Sequence, residues 1–487
     1  MKPIISNLHS GPEIPHEISN YCFEKGKPIQ LVEDGITTLM LENAASASDI
    51  LISGDWNEKE TGKNLYSRGW TSIAQHAEWT VNANIAIRCE VRVLADCNGG
   101  EWTLSIGGRQ IAVQCPGRGF QRIEVGEIDL AKGESQVSLK LSSVPNGNEA
   151  LFKSIEIVTS ETLAGLKVRA AALRSDTSWM REAKYGVMTQ WGAWGYPRHG
   201  DKTPWPQMFE HFNIESFARM VDEEMGAAWV IWSLTWRGSR FPMPMESVDS
   251  ILPGYTLKTD FIGALADALN RRGIRLMLYY HPGHADPEFW RNNWSDAGRA
   301  DRTRFFENWL AIVTEIGARY GTRLSGWFFD DGCVYYPAPF EIMTKAAKSG
   351  NPERLVSYNN WKLPLYTEFQ DIMMGEEIHE DRNLLPNGNG IYTSGSCRGQ
   401  QSHGMFCIDG PDWGIWKPDT NIVPAFTAEK TVNAVKDAIV RGMPLSLNFL
   451  MYEDGTVSSE SLQTLRAVKD AVHVEKRLPL NKSTILS

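Results

Sequence analysis

Two carboxyl clusters stand out in this chain. Asp330 and Asp331 end the apolar run Trp327-Phe328-Phe329, and Glu376 and Glu377 follow Asp371-Ile372-Met373-Met374-Gly375. Carboxyl groups on separate segments suit acid–base chemistry, or a carboxylate nucleophile working with a carboxylic acid. Asp330 directly follows a strand-like run, so its carboxylate sits on a rigid element, as a nucleophile requires. The plainer reading is an Asp that caps a helix or turn, with Gly332 permitting a sharp bend. Asp331 is expected to point elsewhere, because neighbouring strand residues alternate direction. Glu376 and Glu377 are the acid/base candidates. Such an acid must stay protonated near neutral pH, which desolvation or a nearby carboxylate arranges. Otherwise both are solvated loop residues.

Further polar and aromatic residues recur where apolar runs end: Gln190-Trp191-Gly192, Thr235-Trp236-Arg237, Tyr280-His281-Pro282-Gly283-His284 and Asn359-Asn360-Trp361. The 18 Trp, 14 Tyr and 18 Phe give indole and phenyl faces on which the C–H faces of sugars stack, although such rings also fill cores. Aromatics around two carboxyl sites meet the physical requirement of glycoside hydrolysis. His281 and His284 are split by Pro282-Gly283, which prevents a shared helical face, and no third ligand has metal-site spacing. No metal and no cofactor are therefore expected. There is no GxSxG elbow and no Gly-rich phosphate loop, and Cys333 and Cys397 have no evident His partner.

These residues need a scaffold. From about Ile29 to Val158 short runs alternate with period two between Gly, Asn and Pro turns, for example Ile85–Leu94, Trp102–Gly108, Ser135–Leu141 and Ile155–Val158. That texture predicts an antiparallel, jelly-roll-like β-sandwich over residues 1–160, in which Trp79 and Trp102 fit either core or glycan binding. A polar, helix-prone connector spans 161–183. Beyond it, strands and helices alternate: Tyr185–Trp191, Ala228–Ser233, Ile274–Tyr280, Ser325–Phe329, Arg354–Tyr358, Asp371–Met374, Met405–Ile408 and Leu445–Leu450 read as strands. Ile214–Met225, Asp260–Arg272, Asp301–Tyr320 and Ala428–Arg441 read as helices, and Phe305, Phe306, Trp309, Val313 and Ile316 form a core stripe on the third. Fully apolar strands alternating with helices predict a (β/α)8-like TIM-type barrel over 184–475, followed by a tail at 476–487. In such a barrel, chemistry sits at the C-terminal strand ends, where the residues named above fall.

Composition narrows the alternatives. The 487 residues carry 49 Lys+Arg and 59 Asp+Glu, a net charge of −10, and no basic cluster of the kind that grips phosphates. Nucleic acid is therefore not expected as a partner. No apolar run approaches the ~20 residues of a membrane span. The seven cysteines, odd in number and without a CxxC pair, suggest neither a zinc knuckle nor a disulfide scaffold and favour a reducing compartment. The expected location is cytoplasmic, or secreted or periplasmic if a signal segment has been removed.

The order of segments in the barrel region resembles the retaining α-L-fucosidases of glycoside hydrolase family 29. Lys184-Tyr185-Gly186-Val187-Met188-Thr189-Gln190-Trp191-Gly192 is similar to that family's K-F/Y-G-x-F-x-H-W-G. Tyr255 to Asp260, Leu265, Arg271-Arg272-Gly273 and Tyr279-Tyr280 follow its next two motifs. Gly326-Trp327-Phe328-Phe329-Asp330-Asp331 resembles its nucleophile signature G-x-W-F-D-G, and Asp371 to Glu376 has the spacing of D-Y-x-T-P-E. Gly442 to Asn448 with Asp454-Gly455 resembles the closing motif. The resemblance spans Lys184 to Val472 and implies a nucleophile at Asp330 and an acid/base at Glu376 in preference to Glu377. Gln190 stands where the family has a sugar-binding His, and Trp236 to Phe241 replace its H-H-D-G-F. The chemistry can persist while the sugar changes.

The resulting expectation is a retaining exo-glycoside hydrolase of α-L-fucosidase type with a carbohydrate substrate. Asp330 and Glu376 act on the bond at a carboxyl separation of about 5–5.5 Å. Gln190, Trp191, Trp236, Arg237 and His281 line the terminal sugar subsite, with Tyr280, Asn360 and Trp361 on its rim. The alternatives are a barrel glycosidase acting on another sugar and a carbohydrate-binding protein whose catalysis has decayed. Homo-oligomerisation is left open.

Overall fold

A computed structural model describes residues 26–48, 51–53, 66–115, 119–144, 149–283, 285–293, 302–332, 336–359, 367–374, 388–393, 397–410 and 413–472. In the N-terminal part, two six-stranded sheets face each other. One is ordered Ile29–Gln30, His76–Ala83, Gly133–Ser143, Glu101–Ile106, Arg109–Gln114, with Ser46–Ala47 also pairing to His76–Ala83. The other is ordered Gln121–Leu130, Ile87–Asp96, Ala150–Val158, Tyr66–Trp70, Leu51–Ser53, with Thr37–Leu39 on Ala150–Val158. Pairing is antiparallel except for the short parallel match of Ile29–Gln30 with Val81–Asn82. Period-two alternation turns Trp79, Val81, Leu139, Leu141, Trp102 and Leu104 inward to meet Val91, Val93, Phe152 and Ile155. Trp79 and Trp102 are thus core residues. The Trp79 indole N–H donates to Met40 O at 2.7 Å, and Trp102 packs edge-on to Trp70.

Cys97 and Cys115 form a disulfide across 18 residues, a single bridge that the sequence reading, which found no sign of a disulfide scaffold, did not anticipate. The sequence reading looked for paired motifs. This bridge instead joins the ends of strands Ile87–Asp96 and Arg109–Gln114, which belong to different sheets, and spacing alone does not reveal that.

The connector is helical over Ser160–Leu173, capped by Thr159 through the Thr162 N–H, and again over Ser178–Ala183. Eight parallel strands follow: β1 Tyr185–Thr189, β2 Trp229–Ser233, β3 Arg275–Tyr280, β4 Leu324–Phe329, β5 Leu355–Tyr358, β6 Ile372–Met374, β7 Gln401–Cys407 and β8 Leu445–Asn448. Their hydrogen-bonded order is β5-β4-β3-β2-β1-β8-β7-β6, so the chain runs round a nearly closed ring. At the seam between β5 and β6 the Asp371 N–H donates to Val356 O at 2.8 Å, and its carboxylate accepts the Val356 N–H at 2.7 Å.

Strand alternation divides the side chains into two layers. Met188, Ile231, Met277, Tyr279, Phe328, Leu355, Ile372, Met374 and Met405 fill the inside of the ring. Val187, Trp232, Leu278, Tyr280, Trp327, Phe329 and Leu447 face the helices. Helix Thr303–Tyr320 buries Phe305, Phe306, Trp309, Val313 and Ile316, as its spacing predicts. Strand β7 begins at Gln401, four residues before the predicted Met405, because Gln401, Ser402 and His403 interrupt the apolar run while still forming ladder bonds.

Candidate active site

Asp330 begins the turn after β4, where its N–H donates to Tyr280 O at 2.9 Å. Its carboxylate is buried, with 5% of the residue exposed, and both oxygens carry donors. The Tyr279 hydroxyl donates to Oδ2, and Asn359 Nδ2 donates to Oδ1 at 2.8 Å. Asn359 is held in turn by its own N–H, bonded to Phe329 O at 2.7 Å. Burial first, and then the Asp331 charge, raise the Asp330 pKa; His281 and the two donors pull it back toward the ionised form. Donation to both oxygens favours the carboxylate, the state a nucleophile needs.

Asp331 does not point elsewhere. The strand ends at Phe329, and Asp331 adopts φ +49°, so alternation no longer governs its side chain. Its carboxylate returns toward the same centre, and ligand atoms of His281, Asp330 and Asp331 all lie within 4.8 Å of one another. The His281 ring is oriented by its neighbours. The Gly283 N–H donates to Nδ1 at 3.2 Å, so in the neutral ring Nε2 carries the proton, 3.4 Å from Asp331 Oδ2. The backbone of His281 is clasped by Thr235, whose Oγ1 accepts from His281 N and donates to His281 O.

Gln190 lies two residues past Met188 on the inner face. Its Oε1 is buried with no hydrogen-bond partner among the described residues. Asn448, paired in register with Met188, is wholly buried, and its Oδ1 and Nδ2 are likewise without a partner. Two adjacent strand ends thus present buried amide atoms, Gln190 Oε1 and both polar atoms of Asn448, that no described residue satisfies, and each unmet group costs about 1–3 kcal/mol. Deeper in the barrel, burial holds the His403 pKa down to about 3. This ring is neutral, with Nε2 2.9 Å from Ser446 Oγ.

Trp236 caps the inner cluster. It meets Trp194 edge-on and Trp416 at 5.0 Å between ring centroids, while the exposed Arg237 lies 4.7 Å above the Trp416 ring. Trp191 is placed differently from the sugar subsite expected of it. Its ring sits in the outer layer among Phe209, Phe212, Trp232 and Phe261, and its N–H donates to Tyr452 O and Glu453 O at 3.0 and 3.2 Å. Tyr280 also faces the helices, against Phe241 and Phe329, one residue out of phase with the mouth. Glu376, Glu377, Asn360, Trp361, His284 and Cys333 lie outside the described residues.

Sequence reasoning left Tyr279, Asp331 and Asn448 out of the site, and within Asn359-Asn360-Trp361 it chose Asn360 and Trp361 over Asn359. Three of them carried a readable signal. With Met277 inside, period two puts Tyr279 and His281 inside and Tyr280 outside. The same rule selects Asn359 after Leu355 and Ser357, and Asn448 after Ser446.

No protein-family model matches the chain, and no curated protein matches it. Among solved structures it is similar to the α-L-fucosidase of Lactobacillus casei in complex with its α-L-fucose product, at 16% identity and a TM-score of 0.44, over 60% of this chain and 96% of that one. It is also similar to a bacterial fucosidase bound to a monovalent iminocyclitol inhibitor, at 17% identity and a TM-score of 0.46, over 61% of this chain and 74% of that one. These neighbours are enzymes of the type that the order of motifs resembles; the chemistry of the present site rests on its own side chains.

Proposed function

We propose that the chain is a retaining exo-glycoside hydrolase. Asp330 attacks the anomeric carbon of a terminal sugar as the bond to the leaving oxygen breaks, and Glu376 protonates that oxygen. Glu376 then takes a proton from water, which attacks the same carbon and frees Asp330. The observation that carries this reading is the Asp330 carboxylate, buried at a barrel strand end with a donor on each oxygen from Tyr279 and Asn359. Gln190, His281, Trp236 and Arg237 serve the sugar subsite, and the buried amide of Asn448 joins them. An α-L-fucoside is the first substrate to try, because the motifs around Asp330 and Glu376 resemble those of α-L-fucosidases. Gln190 in place of a His makes another sugar the natural second choice, since unmatched hydroxyl contacts discriminate strongly.

The test is aglycone release from a panel of aryl glycosides headed by aryl α-L-fucoside, using wild type, Asp330→Asn and Asp330→Gly. Hydrolysis lost in both variants, with azide restoring release from Asp330→Gly as a glycosyl azide of inverted configuration, is the expected result. Unchanged turnover in Asp330→Asn overturns the assignment.

One observation favours a second reading. The His281, Asp330 and Asp331 ligand atoms converge within 4.8 Å, a nitrogen and two carboxylate oxygens of the kind that hold a divalent cation. A cation there makes Asp330 a ligand and not a nucleophile. Metal content of the purified protein and the response of turnover to a chelator separate the two readings, since covalent double displacement needs no metal.

A further inference from the structure

Strand β2 ends at Ser233, but two hydroxyls carry its bonding onward into the barrel mouth. Ser233 and Thr235 stand two residues apart, and both are buried, at 2% and 1% exposure. Ser233 Oγ reaches toward β1. It lies 3.2 Å from Thr189 O and 3.1 Å from Trp191 O, the carbonyls on either side of Gln190. Thr235 Oγ1 reaches the other way, to the residue that follows β3. It accepts the His281 N–H at 3.2 Å and donates to His281 O at 3.0 Å.

The Thr235 hydroxyl thus stands in for a piece of sheet. Main-chain pairing between β2 and β3 runs as far as the Leu234 N–H on Tyr279 O, at 2.9 Å. A further step of a parallel ladder would give His281 one acceptor and one donor from the neighbouring backbone. One side-chain hydroxyl supplies both, because it carries an O–H and accepting lone pairs. The branched Cβ of Thr235 restricts χ1 and holds that hydroxyl in place. On the opposite side of β3, the Asp330 N–H on Tyr280 O fixes the strand end at 2.9 Å. The imidazole follows this backbone, with Nδ1 taking the Gly283 N–H at 3.2 Å and Nε2 3.4 Å from Asp331 Oδ2.

We infer that Thr235 is a positioning residue: its hydroxyl sets the His281 ring against Asp331 and the sugar subsite without itself meeting the substrate. Without the hydroxyl, the buried His281 N–H and C=O lose these bonds. The backbone then shifts toward other partners and carries the ring with it. The effect on turnover rests on the hydrolase reading; the effect on the ring does not.

The test compares wild type, Thr235→Val, Thr235→Ser, His281→Ala and the Thr235→Val/His281→Ala double variant on the best aryl glycoside. Thr235→Val should lower kcat/KM by about tenfold to a hundredfold, the loss expected when a group is misplaced by about 1 Å. Thr235→Ser keeps both bonds and should restore most of the rate. In the His281→Ala background, Thr235→Val should have no further effect, since the ring it positions is gone. Equal losses in the two backgrounds overturn the inference, because a merely structural threonine costs the same with or without the ring. So does a wild-type rate in Thr235→Val, or a Thr235→Ser as impaired as Thr235→Val.

NMR of histidine-labelled protein supplies a readout that needs no turnover. The ring Cε1–H signal of His281, assigned by its absence in His281→Ala, should move in Thr235→Val and return in Thr235→Ser. An unmoved signal overturns the inference. If wild type hydrolyses no glycoside, a moved and restored signal upholds the inference while the hydrolase reading falls. Thr235→Ala removes the hydroxyl without pressing a methyl on the two backbone atoms, and takes the place of Thr235→Val should that variant not fold.

Discussion

The Tyr279 hydroxyl donates to Asp330 Oδ2 across the pairing of β3 and β4, in which Tyr279 is the register partner of Phe328, two residues before Asp330 on the same inner face. The parity of two neighbouring strands therefore delivers a phenol to the carboxylate. This bond favours the ionised form of Asp330, against the burial that raises its pKa. Tyr279→Phe removes it and leaves desolvation less opposed. If turnover needs ionised Asp330, the acid limb of the rate profile moves to higher pH. A hydrogen bond to a charged group is worth about 1.5–3 kcal/mol, so the shift should be about one to two pH units. A pH profile of kcat/KM on the best aryl glycoside reads it, and an unmoved limb removes Tyr279 from the mechanism.

Asp331→Asn should move the same limb the opposite way. The Asp331 charge raises the Asp330 pKa, second only to burial. Neutralising it lets Asp330 ionise at lower pH, so the variant keeps its rate further into acid than wild type does. Opposite shifts in Tyr279→Phe and Asp331→Asn would tie both to one titrating carboxylate. Shifts of the same sign would mean that the limb reports some other group.

Trp191 offers a test between packing and sugar binding. With its ring among Phe209, Phe212, Trp232 and Phe261 and its N–H on two backbone carbonyls, Trp191→Ala should destabilise the protein by about 3–5 kcal/mol. Chemical denaturation measures that loss. A variant of unchanged stability with a raised KM would instead return Trp191 to the substrate.

Much of this architecture was legible because period and punctuation carry it. Helix Ala428–Arg441 lies where the sequence placed it, and every predicted barrel strand overlaps an observed one. Asp330 was legible for the same reason, as the first polar residue after a saturated apolar run. Legibility failed where one residue of phase decides a role. Tyr279 and Tyr280 are the same residue type, side by side, and only the phase set by Met277 separates the one bonded to Asp330 from the one packed on Phe241. It failed also where a rule of strands was carried past the strand's end, as at Asp331, whose left-handed φ restores it to the site. The Cys97–Cys115 bridge depends on how the two sheets stack, and local pattern does not encode that.

His403 should leave its mark on stability rather than on catalysis. Burial holds its folded pKa to about 3, below the roughly 6.5 of an unfolded histidine. Between those values the unfolded chain binds a proton that the folded one refuses, so stability falls as pH drops below about 6.5 and goes on falling toward 3. The slope from this single group approaches 1.4 kcal/mol per pH unit. His403→Gln keeps a polar group beside Ser446 without the titration. Whatever its stability at pH 7, its loss between pH 6 and pH 4 should be shallower than wild type by about that slope. Denaturant unfolding at pH 7, 6, 5 and 4 provides the comparison, and because both proteins share every other titrating group, the difference isolates His403. Parallel curves would mean that the folded state admits a proton to this ring, and so that water or a rearranged Ser446 reaches the barrel interior.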